Sequence, residues 1–339
     1  KIYWEDTKME FSATAGTAGG SLKALFEVRD GDNLENFKGK VTKADSYSLT
    51  VENISIDNIK SLNLPDKDGK ITVNNISYSY DSWEAQVDAQ GNIKSVTFNL
   101  SKDKAIADPE KTVAEGYLLN AGSAINARGI PYYMTQLNEF VRNFSEMFNQ
   151  IESKGQNLNG DTPPTFFEAI TNTAKVYDFS ESEAYSKLPD GQTATINSSS
   201  NTYYRMTAAN FSVNKDVMND VSLFATSTDY VKTDSCDIVD ELKKLQSEKT
   251  VYRGDKAESF LETIISNVSV DTEKAETYNK LYSNLEQTIA NQRTSVSGVD
   301  EDEEALNLVK FQYSYNMASK IISVMNQMLD KLINDTGVA

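Results

Sequence analysis

Five consecutive positions, Asp300, Glu301, Asp302, Glu303 and Glu304, carry carboxylates. Two at the right separation would do acid/base work on a glycosidic bond, and a cluster of them would hold a divalent cation. The run lies just after Gly298 and just before a long periodic stretch, where carboxylates have a simpler task. Asp300 caps a helix, Glu303 three residues on completes a capping-box-like pair, and the other acids face the positive end of the helix dipole. Asp66-Lys67-Asp68-Gly69 has some of the chemistry of a calcium loop. Its Gly comes two positions too early for an EF-hand and no terminal Glu follows, so a hairpin turn is the reading. Cys236, at a helix start, has no cationic cluster beside it and reads as a small, half-buried side chain. The chain has no His, which removes the commonest general base, the commonest transition-metal ligand and every Ser-His or Cys-His arrangement. No carboxylate pair is singled out by its spacing, so neither catalysis nor a cofactor nor a metal is expected.

The elements that position these residues are long and periodic. Leu308, Phe311, Tyr315, Ala318, Ile322, Met325, Leu329 and Leu332 are spaced alternately three and four apart, the heptad signature of one helix. Met317, Ile321, Val324 and Met328 lie beside that stripe, widening the apolar arc to about 200°, roughly twice what a surface helix needs. Such a helix must be covered from two directions and reads as an assembly element. Gly298 and Asp300 mark a corner or hinge before it.

A second heptad face, Tyr133, Leu137, Phe140, Phe144, Met147 and Ile151, begins after Gly129-Ile130-Pro131 and stops at Gly155; it reads as an internal bundle face. Helical periodicity also marks 19–30, 238–245 and about 256–296. Between 31 and 127 the period is two: Ser48–Val51, Ile71–Tyr80 and Val96–Leu100 alternate, with turn chemistry at 66–69 and 89–92. Residues 156–202 read as loops around short strands, and 203–226 as a pair of strands or a hairpin. Asn53-Ile54-Ser55 and Asn75-Ile76-Ser77 fit the glycosylation pattern at the frequency chance allows in an Asn- and Ser-rich chain.

At 339 residues and a net charge of -17, the chain has room for two or three domains but lacks the clustered Lys and Arg of a nucleic-acid binder. One Cys makes no internal disulfide, and no apolar run is long enough to span a bilayer, so no membrane partner is expected. The opening Lys1-Ile2-Tyr3-Trp4-Glu5 contains neither an initiator Met nor a signal-peptide core and reads as the middle of a longer protein.

Four segments together resemble the FlgK-type flagellar hook-associated proteins of the hook–filament junction. They are GGSLKALFEVRD (19–30), GIPYYMTQLNEFVRNFSEMFNQIESKGQNLNG (129–160) with Phe166-Phe167 after it, YRMTAANFSVNKDV (204–217) and SVSGVDEDEEALNLVKFQYSYNMASKIISVMNQMLDKLIN (295–334). The last resembles the carboxy-terminal signature shared by axial flagellar proteins. Family members often carry a His soon after the Phe-Asn pair, where this chain has Phe148-Asn149-Gln150-Ile151. Block 31–127 interrupts what is often a short connection.

The resemblance implies a structural adaptor joining hook to filament, secreted to the extracellular flagellum without a cleaved signal peptide. Its partners would be copies of itself in a ring, the hook protein, the second junction protein and an export chaperone. The expected architecture is α+β: the end of an upstream β domain (1–18), a helical rod or bundle with a short β-hairpin (19–30 plus 128–296), an inserted β-rich outer domain (31–127) and a coiled-coil-type assembly helix (297–339). The alternative is a secreted adhesin whose β-rich domain exposes Tyr78, Tyr80 and Trp83 to a ligand.

Overall fold

Residues 5–6, 19–66, 68–182, 185–231, 235–247 and 250–335 are described in the computed structural model; the expected upstream β domain at 1–18 falls almost wholly outside them. Two units divide the chain, Lys1–Ser266 and Asn267–Ala339. Mixed helix and strand with a long carboxy-terminal helix agree with the α+β expectation.

The first unit opens with α1 (Gly20–Asp30) and then builds a β-barrel from β1 (Lys38–Asp45), β2 (Ser48–Glu52), β3 (Gly69–Val73), β4 (Ile76–Val87), β5 (Ile93–Leu100) and, after the short α2 (Pro109–Ala114), β6 (Leu118–Ala121). The antiparallel pairings run β1-β2-β5-β4-β3-β6 and return to β1, so the six strands form a closed ring without a free edge. Its interior holds Leu49, Val51, Ile71, Tyr80, Trp83, Val96, Phe98 and Leu119.

Three sequence expectations fail here for physical reasons. The alternating run Ile71–Tyr80 is a hairpin rather than one strand: Asn74 (φ 48°) and Asn75 (φ 62°) both take the left-handed conformation that a tight two-residue turn between β3 and β4 requires. Asp66–Gly69 closes no hairpin; it leads from the loop after β2 into β3. Tyr78, Tyr80 and Trp83 are buried instead of exposed. Tyr80 pairs with Leu100 and Ser82 with Asn99, which leaves Asp81 as an extra residue. This bulge shifts the inward face of β4 from even to odd positions, so that Trp83 turns inward with Ala85 and Val87. The adhesin alternative thereby loses the three aromatic residues it offered as a contact surface.

The chain leaves the barrel beside the point where it entered. Gly129 N–H donates to Gly31 O (3.0 Å), Asn33 N–H to Ala127 O (2.8 Å), and Asp32 bridges Arg128. From there α3 (Ile130–Glu152) starts at Gly129, with Pro131 in its first turn. Two small sheets follow. β7 (Phe167–Ala169) pairs with β9 (Phe211–Val213), and β8 (Ala194–Asn197) joins the far half of β4. The expected hairpin at 203–226 is therefore absent. Its one strand finds its partner some forty residues upstream, and the remainder forms a 3-10 turn at Tyr203–Arg205, α4 (Lys215–Asn219) and another 3-10 turn, each started by a polar cap from Thr202, Asn214 or Asp220.

α5 (Asp237–Ser247) is followed by a hairpin of β10 (Thr250–Tyr252) and β11 (Asp255–Lys256), its turn made by Arg253 (φ 54°) and Gly254 (φ 92°). α6 (Ala257–Ser297) then begins. Leu137, Phe140 and Phe144 of α3 pack on Tyr252, Phe260 and Ile264, and Met147 and Ile151 on Ile238, Leu242 and Leu245. The apolar stripe of α3 is thus covered by elements about a hundred residues downstream.

The second unit, in its described part, consists of the remainder of α6 and of α7 (Glu301–Asp335).

Candidate functional site

Two sets of residues stand out, one exposed where apolar groups ought to be covered and one buried where charged groups ought to be solvated. The first is α7. Asp300 Oδ1 accepts from the backbone N–H groups of Asp302 (3.0 Å) and Glu303 (3.4 Å), and Asp300 O accepts from Glu304 N–H (3.0 Å), which starts the helix. The reciprocal half of a capping box is not made: among the described residues no bond runs from Asp300 N–H to the Glu303 carboxylate. Gly298 donates its N–H to Thr294 O at 2.7 Å, and a Cβ there would meet that oxygen at 2.2 Å, so only Gly fits this end of α6. The sequence-identified cap and corner residues therefore lie together at the break between α6 and α7.

Of the apolar positions on α7, Leu308, Phe311, Tyr315, Met317, Ile321, Ile322, Val324, Met325, Met328, Leu329 and Leu332 are all exposed, from 51% at Val324 to 73% at Phe311 and Tyr315. Isolated surface apolar residues are ordinary, but a run from Leu308 to Leu332, about seven turns of helix, marks an interaction surface. α6 repeats the pattern in its second half, where Tyr278, Tyr282, Leu285 and Ile289 are exposed at heptad spacing.

The second set lies on the other side of α3. Its apolar stripe was legible in the sequence; on its polar face Asn138, Glu139, Arg142, Glu146, Asn149 and Glu152 are all buried. Glu139 Oε1 accepts from Ser61 Oγ (3.0 Å) and Oε2 from Arg253 Nε (3.0 Å), with Arg253 Nη2 at ion-pair distance (3.0 Å). Arg142 donates from Nη1 to Leu62 O (2.6 Å) and from Nε to Met206 O (3.0 Å), with its guanidinium 4.4 Å from the centre of the Tyr204 ring. Glu146 pairs with Lys60 at 2.7 Å. Asn149 grips the backbone of Phe167, accepting from its N–H (2.9 Å) and donating to its carbonyl (2.8 Å). Tyr204 in turn exchanges hydrogen bonds with both backbone groups of Leu64. This network fastens the loop after β2, the 203–210 turn and the Arg253 hairpin to one helix. The spacing of 139, 142, 146 and 149 is helical and was the only available signal; the identity of the partners was not legible.

Glu152 ends the polar face. Among the described residues neither carboxylate oxygen has a hydrogen-bond partner, and burial pushes its pKa up from 4.5 to about 7. The Ala225 N–H pulls the other way without reaching hydrogen-bond geometry. The negative end of the α3 dipole adds to the cost of a charge there.

Cys236 is exposed rather than half-buried, because α5 turns Ile238 and Leu245 toward α3 and leaves the residue before the helix in solvent. Among the described residues no group of three or more acidic or Cys side chains is arranged to hold a metal, and no helix is long and apolar enough to cross a membrane.

Residues 290–335, spanning the end of α6, the Gly298 break and α7, match the family of the flagellar basal body rod FlgEFG protein C-terminal. The chain is 21% identical over 341 residues to flagellar hook-associated protein 1 of Bacillus subtilis (strain 168), an alignment covering 98% of this chain and 56% of that protein. The chain thus spans a little over half the length of the relative it matches. The likeness inferred from four sequence segments is borne out by both comparisons: the chain is similar to flagellar hook-associated protein 1 along nearly its whole length, and its last helix to the carboxy-terminal segment of flagellar rod proteins.

Proposed function

We propose that this chain is a structural adaptor of the bacterial flagellum, joining hook to filament and polymerising through α7, without catalysis. The observation that carries the reading is the exposed apolar circumference of α7. Covering a large apolar side chain is worth about 1.5–3 kcal/mol. Covering Met317, Ile321, Val324 and Met328 alone is then worth at most on the order of 6–12 kcal/mol, comparable with the whole stability of a domain. The likeness to a hook-associated protein and the rod-family match over the same residues support a role in the flagellum.

In this reading copies of the chain form a ring between the hook protein and the second junction protein. An export chaperone shields the carboxy-terminal region beforehand, and the assembled ring lies outside the cell. Segments 19–30 and 128–296 act as the rod domain, 31–127 as an outer domain and 297–339 as the assembly helix. The break at Gly298 and Asp300 works as a hinge that lets one sequence meet two unlike helical surfaces. Hydrogen exchange tests the hinge, since residues 295–301 as protected as the helices on either side would refute it.

Removal of residues 300–339, in a cell lacking its own copy of the protein, tests the reading directly. The expected result is a folded, soluble chain and cells with hooks but no filaments. Filaments attached through the truncated chain would overturn it.

A further inference from the structure

Glu152 closes the polar face of α3 where the end of that helix meets α5 and the 224–228 segment. It is 1% exposed, and among the described residues neither of its carboxylate oxygens has a hydrogen-bond partner. A neutral carboxyl tolerates such a place. A carboxylate there forfeits its hydration and receives no donor in exchange. The orphan carbonyls at the end of α3 make the local field negative, which opposes the charge further.

The charged and titratable groups on the surrounding elements do not relieve that cost. On α3 itself Glu146 is paired with Lys60, and in the loop that follows Lys154 and Asp161 are exposed. On α5 Asp240, Lys243 and Lys244 are exposed, and Glu241 is paired with Lys244. The Asp237 carboxylate accepts from the N–H and Oγ of Thr228 and from Ser235 Oγ, and Cys236 is exposed. The 224–231 segment adds Asp229, another acid, and Tyr230, whose ring lies against Gly160. Glu168 of β7 faces Lys215 and Asp216 of α4. Among the described residues no cation acts on Glu152; burial and the Ala225 N–H are the only influences on its charge.

Asp237 binds both α5 and Thr228, so α5 and the 224–228 segment form one piece. That piece is held to the end of α3 by the packing of Ile238, Leu242 and Leu245 on Met147 and Ile151, and by Gln156 N–H donating to Ser227 O at 2.9 Å. Ionised Glu152 regains water only if the piece separates from α3, which makes proton loss and separation a single linked equilibrium. The apolar cluster at this contact is distinct from the one that fills the barrel, so separation stays local.

We propose that Glu152 is a pH-operated latch: while its carboxyl is protonated it keeps α5 and the 224–228 segment docked on α3, and on giving its proton to solvent it releases them while the barrel stays folded. Release uncovers Ile151, Ile238 and Leu245, all buried in the docked state.

Hydrogen exchange of the 339-residue chain at pH 6 and pH 8, read by mass spectrometry with labelling times scaled for the intrinsic rate, tests the latch. The opening constant of residues 224–228 and 237–247 is expected to be about tenfold larger at pH 8. That is the step due to a carboxyl that titrates at about 7 when docked and at its ordinary 4.5 when free. The barrel strands at 38–52 and 76–100 are expected to show no such step. Glu152→Gln and Glu152→Leu, uncharged at every pH, are each expected to remove it. Asp240→Asn, which changes an exposed acid on α5, is expected to leave it in place. An opening constant in the parent chain that is equal at the two pH values, a step that survives in either Glu152 variant, or a step of equal size in the barrel strands would overturn the proposal.

Discussion

The backbone N–H of Gly129 donates to the carbonyl of Gly31 at 3.0 Å, so the chain entering the barrel and the chain leaving it lie side by side. No side chain fits there. A Cβ on Gly31 would meet Glu27 O at 2.4 Å and Ala127 O at 2.6 Å, and one on Gly129 would meet Glu27 O at 2.3 Å. The obstacles are backbone atoms, which cannot swing aside as the end of a side chain does. Either Gly→Ala change is expected to cost about 2–4 kcal/mol, measured by urea unfolding, while Gly19→Ala, with open space around it, is expected to cost little.

The Glu139–Arg253 pair ties α3 to the hairpin ahead of α6. Glu139 is 2% exposed and Arg253 42%, so removing the arginine strands a buried carboxylate with Ser61 as its remaining donor. Arg253→Ala is expected to destabilise the first unit toward the lower end of the ~3–5 kcal/mol seen for broken buried pairs. Adding Glu139→Gln is expected to restore most of that loss. A double-mutant cycle by chemical denaturation that gave additive effects would show that the pair is not coupled.

Glu152 makes stability fall as pH rises. With a folded pKa of about 7 against an ordinary value of 4.5, the unfolded chain releases this proton first, and between those values the folded state binds more protons. The full native advantage is present below pH ~4.5 and is lost as pH climbs to ~7, a change on the order of 2–3 kcal/mol. Glu152→Gln is therefore expected to be more stable than the parent at pH 8 and about equal at pH 5. Thermal melts at the two pH values check it, and a Gln advantage independent of pH would refute the assignment.

On α7, Ile321→Asp and Met325→Asp are expected to change monomer stability by no more than about 0.5 kcal/mol, because both side chains already lie in solvent. Each is nevertheless expected to abolish incorporation into flagella. Circular dichroism melts and electron microscopy of cells separate the two effects, and normal filaments on either variant would remove α7 from the assembly surface.

The wide apolar arc, the cap at Asp300 and the absence of His were all legible before any coordinates, since each is a property of residues within a few positions of one another. So were the heptad of α3 and the period-two block at 31–127, as local patterns. That block's closure into a six-stranded ring was not legible, because β2 meets β5, β1 meets β6 and β3 meets β6 across long stretches of chain.

A single extra residue, Asp81, decided whether Trp83 would face solvent or core, and alternation alone carries no mark of where a strand bulges. The burial of the polar face of α3 was not legible for a related reason. Its partners lie 78 residues away at Ser61 and 114 at Arg253, and a carboxylate on a helix looks the same in sequence whether water or a distant arginine satisfies it. The sequence alone therefore determined the long helices, the apolar stripe along α3 and α7, the cap at Asp300 and the period-two character of the 31–127 block, each a pattern among near neighbours. Only the tertiary structure decided which polar groups are paired, like Glu139 with Arg253, and which, like the Glu152 carboxylate, have no partner among the described residues, because pairing depends on three-dimensional proximity that local order does not contain.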